Sequence, residues 1–112
     1  MQVQVTSENN LQIVKILGRI DAITSPELEK ELMELINQGA TRLILDLGEV
    51  PYISSAGLRV ILMAAQKLYG TGSVAIAEPK PEVQEILEMT GFDTIMPIYK
   101  SVEEARGEFS RD

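Results

Sequence analysis

Val3 and Val5 alternate with polar neighbours, and Leu11 to Leu17 forms a second run of β type, with Glu8-Asn9-Asn10 supplying turn chemistry between them. That pattern predicts a hairpin. After Gly18-Arg19-Ile20-Asp21 the period changes: Leu28, Leu32, Leu35 and Ile36 recur at helical spacing and make one apolar stripe. Thr24 with Glu27 fits a capping box, Pro26 suits a first turn, and Gly39 stands where a left-handed residue ends a helix.

Arg42 to Leu47 reads as a strand, with Leu43, Leu45 and Leu47 on one face and Arg42, Ile44 and Asp46 on the other. The next helix spans about Gly57 to Tyr69, with Leu58, Ile61, Leu62, Ala65, Leu68 and Tyr69 in one arc and Gly70 just beyond. Ser73 to Ala77 is a strand that buries Val74 and Ile76 and turns small residues outward. Pro79 and Pro81 open a third helix, with Val83, Ile86, Leu87 and Thr90 on one side and its end at Gly91. A short strand near Thr94 to Ile98 and a last helix, opened by Ser101 with Glu104 in capping-box position, complete the order.

A hairpin followed by repeated strand–helix units predicts an α/β fold with a mostly parallel sheet of about five strands. A parallel sheet covered on both faces has strands that are apolar throughout, whereas these alternate. The helices are therefore expected mainly on one face, leaving Arg42, Asp46 and Ser73 near water on the other. With 112 residues, 45% of them hydrophobic, the chain suits a single domain over 1–112.

Charge narrows the partners. Seventeen acidic residues against ten basic give a net charge of −7, which disfavours nucleic acid and anionic membranes. No run is long and apolar enough to span a membrane, and the first residues lack the pattern of a signal peptide, so a cytoplasmic location is expected. The chain has no Cys and no His. A Ser-His-Asp triad, a thiolate nucleophile and the commonest metal ligands are thereby excluded, and the acidic residues are spread along helices as solvated faces are. No metal and no cofactor is expected.

The chemistry that remains is concentrated in Tyr52-Ile53-Ser54-Ser55-Ala56-Gly57, between a strand and a helix. A Ser at that junction can cap the orphan N–H groups of the helix or carry a phosphate at its positive end. Gly57 either lets the loop turn or allows another chain close to the helix start. Arg59, Val60, Met63, Gln66 and Lys67 point away from the core stripe, placing a Val and a Met beside two cations next to the Ser loop. Such adaptable apolar surface suits a protein contact.

Gly18-Arg19-Ile20-Asp21, Leu43-Ile44-Leu45-Asp46-Leu47 and Tyr52-Ile53-Ser54-Ser55-Ala56-Gly57-Leu58 together resemble the STAS domain of bacterial anti-sigma factor antagonists, in the same element order over nearly the whole chain. The resemblance implies a partner switch. In that family the unmodified protein binds an anti-sigma factor with serine kinase activity and frees the sigma factor; phosphorylation of a loop Ser ends the binding, and a PP2C-type serine phosphatase restores it. Aligned on the following Gly and Leu, the acceptor falls on Ser55. The family's Asp before it is Ser54 here and the next residue is Ala56, so Ser54 is the alternative acceptor. Asp21 matches the family's acidic residue near the switch loop, and Asp21, Tyr52, Ser54, Gly57, Arg59 and Met63 are the expected partner-binding residues.

A phosphate adds roughly −1.5 to −2 charges, and about 2.7 kcal/mol of interface energy is a hundredfold in affinity, so one modification suffices without any refolding. The expected oligomeric state is a monomer or weak dimer. The alternative within the same fold is a STAS ligand-sensing or scaffold module in a non-transcriptional signalling assembly. A hydrolase using Ser54 or Ser55 as nucleophile would need an activating base, and none is evident.

Overall fold

The computed structural model describes residues 1–109; the last three residues of the expected domain, 110–112, lie outside the described residues. Strands β1 (Gln2–Glu8) and β2 (Leu11–Leu17) form the hairpin, antiparallel, with Glu8 opposite Leu11. Asn9 takes the left-handed φ of 56° that its short polar side chain tolerates, which closes the turn. Helix α1 (Ser25–Asn37), β3 (Arg42–Glu49), α2 (Ser55–Leu68), β4 (Ser73–Ala77), α3 (Pro81–Met89), β5 (Ile98–Tyr99) and α4 (Val102–Phe109) follow. The five strands lie in the order β1-β2-β3-β4-β5, and every pair after the hairpin is parallel.

One core fills the space between the sheet and α1, α2 and α3. It joins Val14, Ile16, Leu43, Leu45, Leu47, Val74 and Ile76 from the strands to Leu28, Leu32, Leu58, Ile61, Val83 and Leu87 from the helices. Most of these side chains are fully buried, each worth about 1.5–3 kcal/mol relative to exposure.

The opposite face is drier than its alternating pattern predicts. Leu11, Ile13, Ile44, Ala75 and Ala77 form a second buried cluster beneath Ala105 of α4, joined by Tyr99, Val102 and Phe109. Ala75 and Ala77, expected to face water, are small enough to let α4 approach closely and are fully buried by it. Of the three residues expected on the wet face, Arg42 and Asp46 are half-buried and Ser73 is exposed. The cap of α4 forms in the expected place: Ser101 Oγ accepts from the Glu104 N–H at 3.0 Å, while Glu104 Oε1 reaches back to the N–H of Lys100, one residue before the cap, at 3.1 Å. An Arg106–Glu8 ion pair at 3.0 Å ties α4 to the hairpin.

Two further expectations are corrected. The region 94–98 is not a strand: Phe92–Thr94 forms a 3₁₀ turn, and only Ile98–Tyr99 pairs with β4. Phe92 and Met96, four residues apart, both tuck into the core, and that helical spacing overrides the β pattern. Tyr69 is not a core residue but 89% exposed, because it follows α2 with an extended ψ of 127° that swings the chain outward.

Candidate functional site: the paired loops at the start of α2

Because β2 and β3 are parallel neighbours, the loops leaving their C-terminal ends run side by side. The pairing continues past the strands. Gly18 N–H donates to the Glu49 carbonyl at 3.0 Å, Ile20 N–H to the Tyr52 carbonyl at 3.0 Å, and Ser54 N–H to the Ile20 carbonyl at 2.8 Å. Ile20 and Ile53, almost completely buried, form an isolated parallel bridge between the two segments. The two most informative stretches of the sequence are thus laced to one another by backbone hydrogen bonds.

Helix α2 begins two residues earlier than its apolar spacing suggests. Ser54 is its N-cap, extended at φ −92° and ψ 173°, and its Oγ accepts from the Gly57 N–H at 3.3 Å. Ser55 is therefore the first helical residue. It is exposed, its hydroxyl forms no hydrogen bond among the described residues, and no acidic side chain lies in the first turn. Of the two adjacent hydroxyls, Ser54 caps the helix and that of Ser55 has no hydrogen bond among the described residues.

Gly57 is corrected as a contact for another chain. It is buried, and a Cβ there would lie 2.5 Å from Ile20 Cγ2 and 2.9 Å from Ile53 Cγ1. Its bareness serves the chain's own packing, by letting α2 sit directly on the paired loops.

The expected Thr24–Glu27 capping box does not form. Thr24 is itself helical, and its Oγ1 accepts from the Asp21 N–H at 2.9 Å while donating to the Arg19 carbonyl at 2.9 Å. Asp21 Oδ1 takes the N–H groups of Ile23 and Thr24, each at 3.0 Å. These donors, that of Thr24 first, hold the Asp21 carboxyl below its ordinary value against the opposing effect of desolvation, with help from Arg19. Asp21 thus fixes the loop that packs on Tyr52 and Ser54.

Tyr52 is 38% exposed, and the Arg19 guanidinium stacks over its ring at 4.6 Å while also lying 3.7 Å from Asp21 Oδ2. On α2, Arg59 is exposed and Met63 half-buried, but Val60, expected to point outward with them, is only 5% exposed because α1 packs along that side. Arg59 and Met63 line a groove of about 200 Å³ between α1 and α2, with Ala22, Ser25, Pro26, Glu29, Ala56 and Val60. Ile23, at 87% exposure in the Asp21 turn, is a contact candidate that pattern reading misses. A β-branched apolar residue inside a turn is its only sequence signal.

Close to Ser55 in the chain stand Tyr52, whose ring Arg19 covers, and Ala56 and Arg59, which line the groove, carried on a frame of core residues and backbone hydrogen bonds. Among the described residues no helix is long and apolar enough to cross a membrane.

Comparison with known proteins supplies the family. The model of the STAS domain matches residues 2–105. BtrV of Bordetella bronchiseptica, provisionally named an anti-sigma factor antagonist, is 36% identical over 110 residues, which is 97% of this chain and 95% of its own. An anti-sigma factor antagonist from Mycobacterium paratuberculosis superposes with a TM-score of 0.92 at 23% identity, covering 98% of this chain and 94% of its own. The anti-sigma factor antagonist SpoIIAA in its unphosphorylated form superposes at 0.81 with 20% identity, covering 94% and 93%. The phosphorylated form of Bacillus SpoIIAA superposes at 0.74 with 19% identity, covering 95% and 97%. The structural likenesses show the shared fold, while the family model and BtrV carry the assignment: this chain belongs to the STAS-domain family of anti-sigma factor antagonists.

Proposed function

We propose that this protein is the reversible antagonist of an anti-sigma factor with serine kinase activity, and that it regulates transcription without touching nucleic acid. In its unmodified form it docks through the surface made by Asp21, Ile23, Tyr52, Arg59 and Met63. The kinase transfers a phosphoryl group to Ser55 and the complex dissociates. A PP2C-type serine phosphatase removes the group and restores binding. The protein acts as a binding module, and the catalytic groups belong to its partners.

The observation that carries this reading is the free, exposed hydroxyl of Ser55 at the first residue of α2, beside a neighbour that alone performs the capping. Ser54, whose Oγ is already engaged with the Gly57 N–H, is the less available acceptor. SpoIIAA, which shares the fold, is known in phosphorylated and unphosphorylated forms. A phosphate adds roughly −1.5 to −2 charges, and burying it in a protein contact without a basic partner costs several kcal/mol. A chain that already carries −7 is further disfavoured against an acidic partner.

A ligand-sensing module is the second reading, favoured by the groove beside Ser55. At about 200 Å³ that groove falls below the roughly 300–1,000 Å³ of small-molecule sites, and it suits a single partner side chain better.

Mixing the protein with its cognate anti-sigma kinase is the test. The reading expects a complex on size exclusion that dissolves when ATP and Mg²⁺ are added, with phosphate found on Ser55 by mass spectrometry. A complex that persists, or phosphate found on Ser54 alone, contradicts it.

A further inference from the structure

We propose that a phosphate on Ser55 is received within the same chain by Arg59, so that one modification adds negative charge and also withdraws the one cation that lines the α1–α2 groove among the described residues. The proposal rests on the reading of Ser55 as the acceptor.

Helix α2 runs unbroken from Ser55 to Leu68, which places residue 59 one turn above residue 55 on the same side. Side chains four apart have Cβ atoms about 5–6 Å from one another. Helical side chains also lean toward the N-terminus, so Arg59 leans toward Ser55. An anion placed four residues before a cation is the favourable order for such a pair.

Both partners are available. Ser55 Oγ has no hydrogen bond and Arg59 no ion pair among the described residues, although Glu29 lines the same groove from α1. Arg19, the other cation of the site, is held by Asp21 Oδ2 at 3.7 Å and by the Tyr52 ring at 4.6 Å. No acidic residue in the first turn of α2 would repel the phosphate. The guanidinium fork can bond two phosphate oxygens at once, which an ammonium cannot match.

The modification itself balances simply. The bond from Ser55 Oγ to the γ-phosphorus of ATP forms as the bond to the bridging β–γ oxygen breaks; ADP leaves, and the hydroxyl proton passes to a base of the kinase. Arg59 then turns from a contact offered to the partner into the counter-ion of the phosphate.

Phosphoserine can be placed at position 55 by genetic-code expansion, without any kinase, in the parent protein and in R59Q and R59K variants, and its second ionisation followed by ³¹P NMR. The proposal expects the phosphate of the parent to bind its proton at least about threefold more weakly than that of R59Q at low salt, a shift of about half a pH unit, with R59K between them. Identical titrations in parent and R59Q would overturn it. Such a result leaves the phosphoswitch standing, whereas a kinase that ignores Ser55 removes the switch and leaves this measurement intact.

Discussion

The backbone N–H of Ser54 donates to the carbonyl oxygen of Ile20 at 2.8 Å, joining the cap of α2 to the loop that follows β2. Through this bond and its neighbour from Ile20 N–H to the Tyr52 carbonyl, two segments about thirty residues apart in sequence become one surface. Ser55 stands on rigid ground. On the proposed switch, a charge added there would act on a docked partner without being absorbed by movement of the loop.

Gly57→Ala tests that frame. The new Cβ would meet Ile20 Cγ2 at 2.5 Å and Ile53 Cγ1 at 2.9 Å, and neither branched side chain is free to retreat. Overpacking of this kind costs about 1–3 kcal/mol and outweighs the roughly 1 kcal/mol that Ala gains over Gly in a helix. Thermal unfolding should fall by several degrees; an unchanged or higher midpoint would show the paired loops to be softer than their contacts imply.

The two serines should separate cleanly. Ser54→Ala removes the acceptor of the Gly57 N–H and should lower stability by about 0.5–1 kcal/mol, toward the small end for caps because the bond is 3.3 Å long. Ser55→Ala removes an exposed hydroxyl without a partner and should stay within about 0.5 kcal/mol of the parent. Urea denaturation of both variants decides the order, and the reverse order would mean that the helix is capped by the other residue.

Asp21 gives the loop a pH signature. The N–H of Thr24 first, then that of Ile23, the Thr24 hydroxyl and Arg19, favour its charged form over the opposing effect of desolvation and lower its pKa from the ordinary 3.8. A group whose folded value is depressed contributes stability above its unfolded value, and that contribution is lost as pH falls through the folded one. Asp21→Asn keeps an oxygen acceptor but loses the titration. Stability of the parent should therefore drop more steeply below about pH 4 than that of the variant, with the two curves converging in acid; parallel curves would contradict the assignment.

Most of the architecture is legible in the residues because the buried elements repeat strongly: Leu43, Leu45 and Leu47 at period two, and Leu28 and Leu32 at helical spacing, are all fully buried. The second face of the sheet is not, because α4 is a short, polar helix that buries Ala105 on Ala75 and Ala77. Small residues carry almost no hydrophobic signal, yet they are what two closely packed surfaces need. Val60 departs from the outward position that the helical wheel predicts for a related reason: α2 packs against both the sheet and α1, so its buried arc is wider than one stripe.

Within the site, the Ser pair and Asp21 stand out in the sequence, and their division of labour does not. Which of two adjacent hydroxyls caps depends on where the backbone leaves the extended conformation, and the Ile20–Ile53 bridge sets that point from a distance. The Arg19–Tyr52 stack and the exposed Ile23 arise only when the two loops meet.

The affinity of the cognate anti-sigma kinase for the unmodified protein and for protein carrying phosphoserine at position 55, compared by titration calorimetry, is the most direct measurement of the switch. A phosphate set on this frame should weaken binding by at least about a hundredfold, or about 2.7 kcal/mol, while leaving the circular dichroism of the free protein unchanged. Equal affinity of the two forms would contradict the switch, whatever kinase or phosphatase acts on the chain.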